Sequence, residues 1–70
     1  MSRNEFEDLG TEELIQYFAS HKILFSDKVK GIFRDQEING AALVVLSFEN
    51  LRTEGIPAGV AGLILSKIPQ

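Results

Sequence analysis

Residues 33–46, FRDQEINGAALVVL, hold two short apolar segments separated by the dipeptide Asn39-Gly40. Asn-Gly is a turn signal, because both residues tolerate backbone conformations that other residues avoid. Asn is also a good helix N-cap, since its side-chain oxygen accepts a hydrogen bond from a free backbone N–H. We therefore predict that one helix ends before Asn39 and another begins directly after it, with Ile38 and Leu43 sharing a core.

Other positions carry similar helix-start signals. Gly10-Thr11 precedes two acidic residues that suit the positive end of a helix dipole, and Ser26-Asp27 and Ser47 contain good N-caps. Pro57 suits a first helical turn, because its missing N–H would be unbonded there. The predicted helices cover 11–21, a segment after Ser26-Asp27, a segment after Asn39, 48–53, and a last segment ending near Lys67–Ile68.

The apolar run Leu43–Leu46 is the one place where a strand competes with a helix. Its periodicity alone fits a buried strand. No other segment of similar character could pair with it, and the Ala-Ala-Leu sequence at its start favours a helix. The sequence therefore predicts an all-α fold, a compact bundle of five short helices.

The length of 70 residues predicts one small domain, which we place at residues 9–70 after a flexible, mostly polar segment over 1–8. No stretch approaches the roughly 18–20 apolar residues of a membrane span. Met1-Ser2-Arg3 is not followed by an apolar stretch, so we expect no secretory signal. The absence of Cys fits a reducing compartment, and we expect the cytoplasm or the nucleus.

Residues with catalytic or ligating chemistry are sparse. His21 is the one histidine, and no motif places an orienting group beside it. Glu12 and Glu13 are helix neighbours that point about 100° apart, so a capping role is favoured over a paired acid site. Gly59-x-x-Gly62 lacks the Lys-Ser/Thr of a phosphate loop. We expect no catalytic residue, no metal, no cofactor and therefore no enzyme.

The ordered set of apolar and glycine positions resembles the sterile alpha motif (SAM) family over residues 9–68. Its core signature, F…I-D-G…L…L, is similar to Phe33…Ile38-Asn39-Gly40…Leu43…Leu46, with Asn39 in place of the usual Asp. Further matching positions are Glu12-Glu13-Leu14 with Tyr17-Phe18, Leu51, Gly55-Ile56, and Gly59…Ile64-Leu65…Ile68. Other departures are Leu9, where a Trp is common, and a segment between Phe18 and Phe33 that is a few residues longer than is usual. The last helix begins Gly59-Val60-Ala61-Gly62-Leu63, where many members have G-H-R-x-K.

The resemblance implies a protein-interaction module that binds itself or another SAM domain, head to tail, as a homo-oligomer or polymer. One partner offers a mid-loop surface and the other an end-helix surface. The mid-loop positions in this sequence are Asp35, Glu37, Asn39 and Glu49. The end-helix positions are Pro57, Gly59, Val60, Leu63 and Lys67.

The geometry of the last helix supports an apolar end-helix surface. At 100° per residue, Ala61, Ile64, Leu65 and Ile68 fall on one side and form the core stripe. Val60, Leu63 and Lys67 then lie on an adjoining side, at the edge of the core or in water. We expect a contact there to depend on Val60 and Leu63 more than on charge.

RNA-hairpin binding, which a minority of the family performs, is the alternative. It needs a basic cluster at the last helix, where this chain has Val60, Ala61 and Leu63. The net charge of −3 also argues against nucleic acid as a partner. Membrane-surface attachment would need a basic amphipathic helix, which the last helix is not.

Overall fold

The computed structural model describes all 70 residues and contains six helices and no strand. The all-α prediction is confirmed, but there are six helices where five were predicted. The run Leu43–Leu46 forms the end of a short helix and a turn. The helices are α1 Arg3–Glu7, α2 Thr11–Ser20, α3 Asp27–Asp35, α4 Gly40–Leu43, α5 Phe48–Thr53 and α6 Ala58–Ser66.

Helix α1 lies in the segment that we expected to be flexible. It begins with a reciprocal cap, in which the Glu5 N–H donates to Ser2 Oγ (3.2 Å) and the Ser2 N–H donates to the Glu5 carboxylate (3.1 Å). Phe6 is fully buried, and its ring packs edge-to-face on Tyr17 with centroids 5.2 Å apart. The structure thus differs from the expected boundary at residue 9, because the core includes Phe6.

Three of the predicted helix starts, at Ser26, Asn39 and Ser47, have side-chain caps. Ser26 Oγ accepts from the Val29 N–H (3.2 Å), and Asn39 Oδ1 accepts from the Ala42 N–H (2.8 Å). Ser47 Oγ accepts from the Asn50 N–H (3.1 Å). These bonds use donors that the first turn of a helix leaves free, and they fix where each short helix begins.

One apolar core holds the six helices together. Ile38 and Leu43 both belong to it, as predicted for the two sides of the Asn39-Gly40 corner. The Tyr17 hydroxyl donates to the Lys67 carbonyl (2.7 Å) and ties the end of α6 to α2. The buried apolar residues are Phe6, Leu14, Ile15, Phe18, Ile23, Phe25, Val29, Phe33, Ile38, Leu43, Leu51, Ile56, Ala61 and Ile64.

Gly40 is buried at the corner because the main chain of α1 packs against it. Its N–H donates to the Leu9 carbonyl at 2.9 Å. A Cβ on Gly40 would overlap the Phe6 carbonyl oxygen and lie 2.9 Å from the Phe6 carbonyl carbon. Gly40 is therefore needed for the close approach between its own backbone and that of α1.

Candidate functional site

The mid-loop positions all lie on the outside of the molecule. Asp35 ends α3, Glu37 lies in the turn that follows, and Glu49 lies in the first turn of α5. None of these three carboxylates takes part in either of the two ion pairs, Arg3–Glu7 and Arg34–Glu12. All three are therefore exposed carboxylates without an ion-pair partner, two of them just before the Asn39-Gly40 corner and one in the helix after α4.

Glu37 and Asn39 shape the mid-loop surface through the backbone. Glu37 has a positive φ of 51°, a left-handed conformation that ends α3 where a glycine is common. The side-chain oxygen of Asn39 is occupied by the cap of α4. Asn39 therefore has a local structural role, and its free amide N–H groups are what it offers to a partner.

Two exposed apolar side chains lie between the Asn39-Gly40 corner and Glu49 in the sequence. Val45 is 79% exposed and Phe48 is 43% exposed, on either side of the α5 cap Ser47. Neither was predicted to be exposed, because Val45 lies in the apolar run Leu43–Leu46 and an aromatic residue such as Phe48 is more often in the core. We use the name mid-loop surface for Asp35, Glu37, Asn39, Val45, Phe48 and Glu49.

Arg34 lies close in sequence to the mid-loop carboxylates, but its side chain pairs with α2. Its guanidinium donates to both Glu12 oxygens, from Nε at 2.7 Å and from a terminal nitrogen at 2.8 Å. These hydrogen bonds lower the pKa of Glu12 and raise that of Arg34. The guanidinium of Arg34 is therefore engaged by Glu12.

The end-helix positions are exposed, except for Val60, and they alternate along α6 with residues of the core. Leu63 is 50% exposed, whereas Ala61 and Ile64 are fully buried, as the predicted core stripe requires. Leu65 and Ile68, the other two members of that stripe, are only partly buried. Pro57, Gly59 and Lys67 are exposed, and Val60 is half-buried against the core.

The first turn of α6 presents little but backbone. No side chain caps this helix at Pro57, so its first N–H groups carry the partial positive charge of a helix start. A Cβ atom added at Gly59 or Gly62 would meet nothing within 4 Å. Leu63 and Val60 therefore stand beside bare backbone. We use the name end-helix surface for Pro57, Gly59, Val60, Leu63 and Lys67.

Basic side chains are scarce around α6. Lys67 lies at its C-terminal end, and Arg52 donates to the Ile56 carbonyl at 2.9 Å, which joins α5 to the start of α6. Elsewhere in the chain, His21 is exposed and packs against the Tyr17 ring with centroids 4.5 Å apart. No group of three or more His, Cys, Asp or Glu residues is placed to hold a metal ion.

None of the six helices has both the length and the apolar character to cross a bilayer.

Glu13, for which a capping role was predicted, accepts from the Gly10 N–H at 2.9 Å. Glu12 instead pairs with Arg34, so the two neighbouring carboxylates have separate partners.

Comparison with protein-family models, with curated proteins and with solved structures gives no match for this chain.

Proposed function

We propose that this chain is a non-enzymatic interaction module of the SAM type, which self-associates head to tail or pairs with another SAM domain. The mid-loop surface of one unit would dock on the end-helix surface of the next. The observation that carries the proposal is Leu63, half exposed on α6 beside bare backbone. The unpaired carboxylates and exposed Phe48 of the mid-loop surface supply a matching face.

The two surfaces are different, so their contact is heterologous. Such a contact between identical units produces a ring or an open filament and does not close as a two-fold dimer. A unit with only one competent surface would still bind a partner that carries the other. Both forms of association, with itself and with another domain, therefore follow from the same two surfaces.

The apolar area sets the strength of the contact. Full burial of a leucine side chain gains about 1.5–3 kcal/mol, so the exposed half of Leu63 supplies roughly 1 kcal/mol. Val45 and Phe48 add similar amounts, whereas association costs at least about 4 kcal/mol. Exposed ion pairs add about 0–1 kcal/mol each. Because these gains are small and are offset by the cost of association, we expect association only at high protein concentration.

Light scattering on a sizing column, over a wide concentration range, tests this proposal. The variant Leu63→Glu places a charge in the end-helix surface, and Asn4→Glu places the same charge on α1 as a control. We expect the wild-type mass to rise with concentration, Leu63→Glu to lower it, and Asn4→Glu to leave it unchanged. Equal effects of the two variants would contradict a specific end-helix contact.

RNA-hairpin binding, the alternative, is disfavoured by the position of the basic side chains. Only Lys67 lies at the end of α6, and Arg52 is engaged with the Ile56 carbonyl. Electrophoretic mobility shift of a hairpin RNA at low salt tests it. We expect no shift, whereas binding that weakens steeply with added salt would support the alternative.

A further inference from the structure

A groove of about 350 Å³ lies between α2 and α3, on neither of the two surfaces described above. Four of its six lining residues are hydrophobic, and Lys30 supplies a positive charge at its α3 side. Leu24, in the α2–α3 loop, is 79% exposed and lines the groove. The lining residues are Ile15, Gln16, Ala19, Leu24, Phe25 and Lys30.

The Glu12–Arg34 ion pair holds the two helices together near the groove. Glu12 lies about one turn before Ile15 on α2, and Arg34 lies one turn after Lys30 on α3. The bidentate bond therefore bridges α2 and α3 beside the groove. Lys30 is not part of an ion pair, so its ammonium group is free to bind a partner carboxylate.

The part of the chain that lines the groove carries a small positive charge, although the whole chain is acidic. Residues 11–34, which include all six lining residues, contain four Lys or Arg residues and three acidic residues, for a net charge of +1. Residues 35–54 contain four acidic residues and one Arg, for a net charge of −3. The two most exposed large apolar side chains, Leu24 and Val45, are distributed one to each of these segments. The chain thus carries two apolar faces of opposite charge.

We infer that the groove is a second docking site for the mid-loop surface of another copy of this chain. Phe48 of the incoming copy enters the groove and contacts Leu24 and Phe25, while its Glu49 binds Lys30. The opposite net charges of the two segments favour this pairing and speed the encounter. The inference rests on the mid-loop surface of the proposed function, but the end-helix surface takes no part in it.

A second docking site changes what the end-helix variant does. An incoming mid-loop surface binds either α6 or the groove, so Leu63→Glu leaves residual association. When Lys30→Glu is added to Leu63→Glu, the new carboxylate faces Glu49 of the incoming copy, and the residual association is lost. Lys28→Glu makes the same charge change on α3 at an exposed residue that does not line the groove, and it is the matched control.

Sedimentation velocity on the Leu63→Glu background tests the inference, with protein concentrations up to about 1 mM. We expect the sedimentation coefficient of Leu63→Glu to rise with concentration. The rise disappears with Lys30→Glu and persists with Lys28→Glu. Glu49→Lys on the same background also abolishes it. An equimolar mixture of the Lys30→Glu and Glu49→Lys proteins associates again, because each charge then meets its opposite.

The outcomes separate this inference from the proposed function. If the wild type associates and Leu63→Glu is monomeric throughout, the groove is not a docking site and the end-helix contact stands. If Leu63→Glu associates as strongly as the wild type and Lys30→Glu abolishes association, the groove stands and the end-helix contact fails. Equal effects of Lys30→Glu and Lys28→Glu, or a wild type that stays monomeric, overturn the inference.

Discussion

Gly40 and Phe6 are in direct backbone contact, with no room for a side chain at position 40. A Cβ there would overlap the Phe6 carbonyl oxygen, and the Gly40 N–H donates to the neighbouring Leu9 carbonyl at 2.9 Å. This contact explains why a glycine occupies position 40. Asn39 caps α4, and Gly40 lets α1 pack on α4 closely enough to bury Phe6.

Gly40→Ala should destabilise the fold by about 2–3 kcal/mol, because the overlapping atoms belong to backbone and cannot rotate away. Gly31→Ala is the control, since a Cβ on Gly31 meets nothing within 4 Å. It lies within α3 and should stabilise the protein by about 0.5–1 kcal/mol through helix propensity. Urea denaturation measures both changes. Equal stability of Gly40→Ala and the wild type would refute the close contact.

Phe6→Ala should cost about 3–5 kcal/mol, because the ring is fully buried in a core shared with Tyr17 and Phe18. That is a large fraction of the stability of any small domain. Thermal unfolding followed by circular dichroism should show a strongly lowered Tm. Asn4→Ala, at an exposed position of α1, should have little effect. A Tm for Phe6→Ala near that of the wild type would mean that α1 does not belong to the core.

The Glu12–Arg34 pair should contribute stability that depends on pH. Hydrogen bonds from Arg34 lower the pKa of Glu12 below its ordinary value of 4.5. The contribution is therefore present above that value and is lost as the pH falls through the folded-state pKa. Glu12→Gln should lower Tm slightly at pH 7, and the difference should vanish in acid and shrink in high salt. Glu54→Gln, at an exposed residue without an ion pair, is the control.

A Tm difference for Glu12→Gln that stays constant between neutral and acid pH would contradict this origin. The loss would then come from packing or helix propensity, which do not titrate.

The double substitution Asp35→Lys, Glu37→Lys should weaken self-association without unfolding the domain. Both side chains are exposed and unpaired, so the fold does not depend on them. Light scattering should show a lower mass at each concentration, with an unchanged far-ultraviolet circular dichroism spectrum. If association is unaffected, the Asn39-Gly40 corner has a structural role and does not take part in binding.

Local signals made the helix starts predictable, whereas α1 depends on tertiary contacts. Ser26, Asn39 and Ser47 cap donors within three residues, so their role is visible in the sequence. Helix α1 is five residues long and buries Phe6 alone, too little to show a periodic pattern. Its signal was the Ser2-x-x-Glu5 capping box, which marks a helix start without any apolar stripe.

The candidate surfaces were predictable only where the geometry of a single helix decides which side chains are exposed. Leu63 could be placed outside the core stripe of α6 by helix geometry alone. Val45 and Phe48 could not, because their exposure depends on how α4 and α5 meet. The Arg34–Glu12 pair joins residues 22 positions apart, and no local pattern indicates it.

The most direct test of head-to-tail association is an NMR titration between two variants that each retain one surface. The Asp35→Lys, Glu37→Lys protein keeps its end-helix surface and is labelled with ¹⁵N. The Leu63→Glu protein keeps its mid-loop surface and is added unlabelled. We expect the Val60 and Leu63 amide signals to shift as the second protein is added. Unchanged α6 signals at every ratio would contradict it.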